Sequence, residues 1–259
     1  FHGDVPSFWN RDNTYKSWGY DYFFSKNYFS SGKNYDVGYG LKDKIFLKDS
    51  AQYIEQLPQP FYAKMITVTN HYPYTLDKAN QTIEKTDTGD DTVDGYVQTA
   101  RYLDEALGEF FNWLKETGLY DKSMIVLYGD HYGISNNHKK AMAKLTNISG
   151  FNDYNNAMYQ RVPFMIHMPG LKGGINHTYG GEIDALPTIL NLLGVKDNDT
   201  VQFGSDLLSA DHPQTVAFRN GDFVTPDFTK VGSQYFNTTT GKKIDKLSES
   251  QKESVDAST

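Results

Sequence analysis

The sequence contains no cysteine among its 259 residues, and it has only nine prolines. The absence of cysteine excludes disulfide bonds, thiolate metal ligands and a cysteine nucleophile. No apolar run reaches the roughly 18 residues of a membrane-spanning helix, and the first residues lack the charged-then-apolar pattern of a signal peptide. The formal net charge is −7, and the basic residues are scattered along the chain. We therefore expect no nucleic acid among its partners.

Apolar and aromatic residues, by contrast, are abundant. Hydrophobic residues make up 38% of the chain and aromatic residues 15%, which is enough to bury a substantial core. Segments with strand-like patterns alternate with segments of helical periodicity. The predicted strands are 62–69, 124–128 and 162–168, and the predicted helices are 96–118, 136–145 and 183–194. This alternation predicts an α/β fold with a mainly parallel sheet flanked by helices.

The pattern changes after residue 211. Turn dipeptides at 220–221 and 240–241 separate short β-type runs, which predicts hairpins in a small antiparallel sheet over residues 212–247. The last residues, 248–259, form a polar tail. We therefore predict a main domain over residues 1–211, a small β subdomain and a tail.

An acidic residue and a histidine stand side by side where a predicted strand ends. Asp130 and His131 follow the strand 124–128, and Gly129 and Gly133 on either side allow the chain to bend. In open α/β sheets, functional sites form at the carboxyl ends of strands. A carboxylate oxygen and an imidazole nitrogen supply half of the coordination shell of zinc or manganese. The alternative is that Asp130 caps the next helix and His131 binds a loop carbonyl.

A second histidine follows another predicted strand. His71 comes directly after the strand 62–69 and Asn70, and Pro73 favours an extended exit from this position. A histidine at such a place can bind a phosphate oxygen or transfer a proton. A purely structural role is the alternative.

The first residues, "FHGDVPSFWNRD", form a third candidate cluster with His2, Asp4, Trp9 and Arg11. The guanidinium of Arg11 offers a planar fork for phosphate, and Trp9 offers a flat wall for a polyol. Asp4 can accept hydrogen bonds from hydroxyl groups. The alternative is an aromatic loop with a surface ion pair.

Six motifs occur in order along the chain, namely "FHGDVPSFWNRDNTYKSWGYD", "TVTNHYPY", "YGDHYGIS", "NNHKKAM", "EIDALPTILNLLG" and "FRNGDF". In these motifs, from residue 1 to roughly residue 225, the chain resembles the lipoteichoic acid synthase family, a branch of the sulfatase and alkaline phosphatase superfamily. The resemblance implies a membrane-anchored parent protein with an extracellular catalytic domain, which either stays at the bacterial cell surface or is released by cleavage. That domain would polymerise glycerol phosphate, taken from phosphatidylglycerol, onto a glycolipid-anchored chain.

The resemblance also implies roles for the candidate residues. A catalytic Mn²⁺, or Mg²⁺ in its place, would be bound by Asp130 and His131. The glycerophosphate group would be bound by residues of the other two clusters, namely His71, Arg11, Trp9, His2 and Asp4.

In the family, a threonine nucleophile and a metal-binding glutamate lie upstream of the "FHGDVPSFWNRD" segment, with which this sequence begins. We therefore assign no catalytic nucleophile here. We expect the chain to be the C-terminal part of the catalytic domain, to associate with the N-terminal part, and to be inactive without it. A phosphodiesterase, phosphatase or sulfatase of the same superfamily is an alternative, and so is a non-catalytic polyanion-binding module.

Overall fold

The computed structural model describes residues 1–196, 199–249 and 251–252. The chain divides into two compact units. The first unit comprises Phe1–Gly150 and Pro163–Leu171, and the second comprises Phe151–Val162 and Lys172–Thr259. The domain boundary predicted after residue 211 stays a prediction, and it lies within the second unit. Of the predicted tail, residue 250 and residues 253–259 lie outside the described residues.

Four α-helices lie in the described residues of the first unit: α1 (Arg11–Ser17), α2 (Asp43–Ile54), α3 (Asp91–Glu116) and α4 (Lys139–Thr146). The prediction of a long amphipathic helix is confirmed by α3. It begins five residues before the predicted start because the side chain of Asp90 accepts hydrogen bonds from the backbone N–H groups of Thr92 and Val93. In the described part of the chain, no helix combines the length and the apolar character needed to cross a bilayer.

Helices α2 and α3 pack against each other and cover the main hydrophobic core of the first unit. The buried residues of this core are Phe29, Leu41, Phe46, Leu47 and Ala106. The sequence did not lead us to predict α2, although its buried residues recur at the spacing of a helical face.

The strands of the first unit form two short ribbons. One is a hairpin of β1 (Asp36–Val37) and β2 (Gly40–Leu41), and the other pairs β3 (Ile125–Tyr128) with β4 (Phe164–His167). The existence of β3 and β4 was predicted, but they pair antiparallel.

The prediction of mainly parallel pairing is therefore corrected for the described strands of the first unit, whose ladders are antiparallel. Parallel pairing occurs at one isolated bridge, where Ile66 lies beside His2. The predicted strand 62–69 forms no ladder with another strand. In the described part of the chain, its β-type pairing is limited to this bridge between Ile66 and His2. Side-chain periodicity sets which face of a strand is buried, and it carries no information about the direction of the neighbouring strand.

The second unit contains α5 (Asp153–Met158), α6 (Ala185–Leu192) and a five-stranded sheet. Its strands are β5 (Val216–Ala217), β6 (Phe223–Val224), β7 (Phe228–Val231), β8 (Gln234–Asn237) and β9 (Lys243–Ile244). They pair antiparallel in sequence order, so the predicted small antiparallel sheet is confirmed. The turn dipeptides connect β5 to β6 and β8 to β9, where Gly221 and Gly241 adopt positive φ angles of 81° and 66°.

Candidate functional site

Two loops of the first unit bring His71 and His131 into contact. His71 lies in the turn that follows the Ile66 bridge, and His131 lies in the loop that follows β3. The centroids of the two imidazole rings are 5.6 Å apart, and the ring planes are inclined by 88°. Residues that are 60 positions apart in the sequence are therefore brought side by side.

Hydrogen bonds determine which nitrogen of each imidazole carries the proton. Nδ1 of His71 lies 2.8 Å from the carbonyl oxygen of Tyr72, and Nδ1 of His131 lies 2.8 Å from the carbonyl oxygen of Tyr132. Because a carbonyl oxygen only accepts hydrogen bonds, Nδ1 is the donor in both cases. In the neutral rings the lone pair is therefore on Nε2, the atom that can bind a cation, accept a proton or, once protonated, donate to phosphate.

Asp130 lies beside His131 and is the more exposed of the two. The side chain of Asp130 is 75% exposed, that of His131 is 53% exposed, and Oδ1 of Asp130 lies 3.7 Å from Nε2 of His131. The alternative role of Asp130 as a helix cap is not observed, since Ser135 occupies the N-cap of the next helical turn. His131 does bind a loop carbonyl, but it does so through Nδ1 and keeps Nε2 available.

The Asp130 and His131 pair fits part of a metal site. Two ligands about 2.1 Å from one tetrahedral ion are about 3.4 Å apart, which is close to the separation of this oxygen and this nitrogen. Within the described residues, however, no group of three or more His, Asp or Glu side chains is arranged to hold a metal ion. The pair can therefore supply half of a coordination shell, and further ligands have to complete it.

A row of aromatic rings extends from the two histidines to Trp9. The ring of His71 contacts Tyr39 at a centroid distance of 5.0 Å, Tyr39 contacts Phe8 at 5.6 Å, and Phe8 contacts Trp9 at 6.1 Å. Trp9 is 78% exposed and has a φ angle of 56°, a left-handed conformation that is rare for a bulky residue. Such a conformation at an exposed aromatic side chain is a common feature of ligand sites.

His2 lies at the buried end of this row. Its side chain is enclosed, its ring stacks on Phe8 at 6.5 Å, and its Nδ1 donates to the carbonyl of Ile66 at 3.2 Å. Burial lowers the pKa of His2, the hydrogen bond to Ile66 opposes this effect, and the positive charge of Arg11 lowers the pKa further. His2 is therefore neutral, and its buried Nε2 has no hydrogen-bond partner in the described part of the chain.

Arg11 and Asp4 lie close enough to His2 for their charges to shift the pKa of its imidazole. The negative charge of Asp4 raises the pKa of His2, whereas Arg11 lowers it. Asp4 is buried and accepts a hydrogen bond from the backbone N–H of Val5 at 2.6 Å. Nη1 of Arg11 donates to the hydroxyl of Tyr15 at 2.8 Å, while its Nε is buried without a partner among the described residues. The guanidinium thus retains donor capacity for an anion.

Phe8 and Tyr39 are site residues that sequence reasoning missed. Tyr39 occupies the two-residue turn between β1 and β2 together with Gly38, whose φ is 50°. A glycine followed by one residue between two short apolar runs is a hairpin signal, so the turn could have been predicted. That its tyrosine would contact His71 could not.

The comparisons with known proteins assign the chain to a family. The family model described as Sulfatase matches residues 1–195. The chain belongs to the sulfatase family. Among solved structures, the lipoteichoic acid synthase LtaP from Listeria monocytogenes is similar, with a TM-score of 0.82 and 30% identity over 100% of this chain and 66% of that one. A protein of the alkaline phosphatase superfamily from Vibrio parahaemolyticus shares the fold, with a TM-score of 0.73 and 19% identity over 98% of this chain and 61% of that one.

Within the sulfatase family, the similarity to lipoteichoic acid synthases that the motifs predicted is confirmed. Lipoteichoic acid synthase 1 of Bacillus subtilis (strain 168) is 55% identical over 243 residues, which are 94% of this chain and 38% of that protein. Lipoteichoic acid synthase of Staphylococcus aureus (strain USA300) is 51% identical over 247 residues, again 94% and 38%. The chain thus spans 38% of the length of these relatives.

Proposed function

We propose that the chain is part of the catalytic domain of a metal-dependent glycerophosphotransferase that builds lipoteichoic acid. Phosphatidylglycerol would donate the glycerol phosphate, and a glycolipid-anchored glycerol phosphate chain would accept it at the outer face of the cell membrane. Identities of 55% and 51% to proteins named lipoteichoic acid synthase support this proposal. The observation that carries it is the contact of His71 with His131, because it unites a candidate phosphate ligand with a candidate metal ligand.

We propose that Asp130 and His131 hold a divalent cation, Mn²⁺ or Mg²⁺, through a carboxylate oxygen and the free Nε2. A bound cation would offset the negative charge of a phosphodiester and lower the barrier to attack on phosphorus. His71 would contact a phosphate oxygen or hold a proton at Nε2, the nitrogen that its bond to Tyr72 leaves available.

The remaining candidates would bind the rest of the glycerophosphate group. Arg11 would donate to the phosphate oxygens, and its bond to Tyr15 would fix the orientation of the guanidinium. Trp9 would cover the apolar face of the glycerol unit, while Asp4 would accept from a glycerol hydroxyl and His2 would line the pocket.

The nucleophile and the missing metal ligands would come from another segment of the longer protein. Two observations support this proposal. Asp130 and His131 are two neighbouring ligands, and no group of three or more His, Asp or Glu side chains that could hold a metal ion occurs in the described part of the chain. The relatives named lipoteichoic acid synthase are also much longer than the matched region.

A hydrolase is the second candidate function, favoured by the match to the sulfatase family. In such an enzyme, water rather than a glycerol hydroxyl would receive the phosphoryl group. The test incubates the complete protein and Mn²⁺ with vesicles that contain phosphatidylglycerol and a glycolipid acceptor. It measures diacylglycerol together with the product that carries the glycerol phosphate. A transferase yields diacylglycerol and a glycerol phosphate polymer, whereas a phosphodiesterase yields diacylglycerol and free glycerol phosphate.

Two variants test whether the activity measured in this assay depends on the candidate site. We expect His71→Ala to reduce diacylglycerol release by about 100-fold or more, because it removes a group in contact with the reacting phosphate. His177→Ala is the matched control, since His177 is an exposed histidine of the second unit. Equal activity of the two variants, or binding of phosphatidylglycerol without any release of diacylglycerol by the unaltered protein, would contradict the proposal.

A further inference from the structure

Tyr74 links the two loops that carry His71 and His131. Its hydroxyl donates a hydrogen bond to the carbonyl of Gly133, and its backbone N–H donates to the carbonyl of His71 at 2.8 Å. The side chain is only 4% exposed, and the backbone is left-handed with a φ angle of 58°. Because an aromatic residue rarely adopts this conformation, the surrounding contacts must hold it in place.

Close packing leaves this junction little freedom to move. The ring of Tyr74 packs edge-to-face on Tyr96 of α3, with centroids 5.3 Å apart. A Cβ atom at Gly133 would lie 2.5 Å from Cε2 of Tyr96, and a Cβ atom at Gly95 would lie 2.5 Å from the carbonyl oxygen of Tyr74. The approach at Gly95 is to a backbone oxygen and requires glycine, whereas a Cβ atom at Gly133 would force the ring of Tyr96 to shift. Helix α3 thus packs against both loops and limits their movement.

The far end of the His131 loop is attached to the same helix. Nδ1 of His138 donates to Oδ2 of Asp90 at 2.7 Å, and Asp90 also caps α3 through its Oδ1. The hydrogen bond from His138 is the largest cause that keeps the pKa of Asp90 below its usual value. Two hydrogen bonds therefore hold this loop: the bond between His138 and Asp90 at its end, and the bond from Tyr74 to Gly133 nearer its start.

We propose that Tyr74 is a positioning residue that sets the separation between the imidazoles of His71 and His131. The inference rests on the proposed function, in which both histidines act on one phosphodiester. Burial, with the neighbouring Tyr96 as a smaller cause, raises the pKa of Tyr74 to about 12, so its hydroxyl remains a donor at physiological pH. Without that donor, the carbonyl of Gly133, which lies in an exposed part of the loop, would accept a hydrogen bond from water instead. The loop would then lose its link to Tyr74 and shift towards solvent.

The test removes only the hydroxyl group, by Tyr74→Phe in the 259-residue chain. The readout is the nuclear Overhauser effect between the ring protons of His71 and His131, observed with isotope-labelled histidine. Because this effect falls with the sixth power of distance, we expect it to become severalfold weaker or to vanish. The matched control is Tyr154→Phe, which removes another buried hydroxyl that donates to a carbonyl, that of Thr238, in the second unit. We expect the control to retain the effect in full.

Two outcomes of this comparison would overturn the proposal. An unchanged nuclear Overhauser effect in Tyr74→Phe would overturn it, and so would an equal loss in Tyr154→Phe, which would indicate general loosening. If Tyr74→Phe does not fold, Gly133→Ala takes its place, because the added methyl group displaces Tyr96 from the same junction. The same loss of the effect is expected for that variant.

Activity provides a second readout in the complete protein. We expect Tyr74→Phe to lower kcat by about tenfold to 100-fold, as for a misplacement of catalytic groups by about 1 Å, with little change in KM. A weakened nuclear Overhauser effect with unchanged kcat would overturn the catalytic importance of the spacing. If the unaltered protein fails to release diacylglycerol while the effect still depends on Tyr74, the proposed function is wrong and the positioning role stands.

Discussion

Replacing Asp43 with asparagine should change how the stability of the fold depends on pH. Asp43 is fully buried at the start of α2, and its Oδ1 accepts hydrogen bonds from the backbone N–H groups of Val68 and Thr69 at 2.9 and 3.2 Å. These bonds hold the segment that leads to His71. Oδ2 of Asp43 is buried without a hydrogen-bond partner in the described part of the chain. Asparagine keeps the accepting oxygen and removes the charge.

The magnitude follows from the pKa of Asp43. Burial raises this pKa from 3.8 to about 6, and the hydrogen bonds from Val68 and Thr69 oppose the rise. A carboxyl group with a higher pKa in the folded state binds more protons there, so its stabilising effect is full below about pH 4 and is lost as the pH rises through about 6. At about 1.36 kcal/mol per pKa unit, the loss amounts to about 3 kcal/mol.

The assay is urea unfolding of the unaltered chain and of Asp43→Asn at several values between about pH 4 and pH 7. We expect the free energy of unfolding of the unaltered chain, relative to the variant, to fall by about 2.5 kcal/mol over this range. This is less than the full loss, because the unfolded carboxyl is already partly ionised at pH 4. The matched control is Asp121→Asn, because Asp121 is exposed. A difference between Asp43→Asn and the unaltered chain that does not vary with pH would refute the reasoning.

Three further predictions concern the site. Asp130→Asn and His131→Ala should each weaken Mn²⁺ binding by the complete protein at least about tenfold in calorimetry, because each removes a ligand, and unchanged affinity would contradict the assignment. Arg11→Lys should lower kcat/KM for phosphatidylglycerol by about tenfold or more, since an ammonium group cannot make a bidentate contact, and full activity would exclude such a contact. When the 259-residue chain alone is incubated with phosphatidylglycerol and Mn²⁺, it should release no diacylglycerol, because its described residues offer no group of three metal ligands. Turnover would show that the chain contains its own nucleophile.

Local patterns in the sequence were sufficient to predict several elements. The helical periodicity from Tyr96 onwards predicted α3, and the apolar runs before Asp130 and Pro169 predicted β3 and β4. Turn dipeptides with glycine predicted the hairpins of the C-terminal sheet. These features depend on neighbours within a few residues, such as the spacing of apolar side chains or the need for a positive φ angle.

The sequence led us to expect the candidate residues to lie close together, on the premise that they follow neighbouring strands of one sheet. That premise does not hold for residues 62–69, which form no ladder in the described part of the chain. His71 and His131 do meet, and Trp9 is joined to them through other rings. The roles of these residues stay predictions until they are tested by substitution.

The sequence by itself determined which residues could bind a cation, a phosphate group or a polyol, since those properties belong to single side chains and short motifs. Only the tertiary structure decided that β3 and β4 pair antiparallel, that Tyr74 joins the two histidine loops, and that Asp43 is buried beneath one of them. The physical reason is that strand direction, burial and hydrogen bonding between loops depend on partners that are distant in the chain. A pattern of neighbouring residues specifies what a side chain can do, but packing specifies which groups it meets.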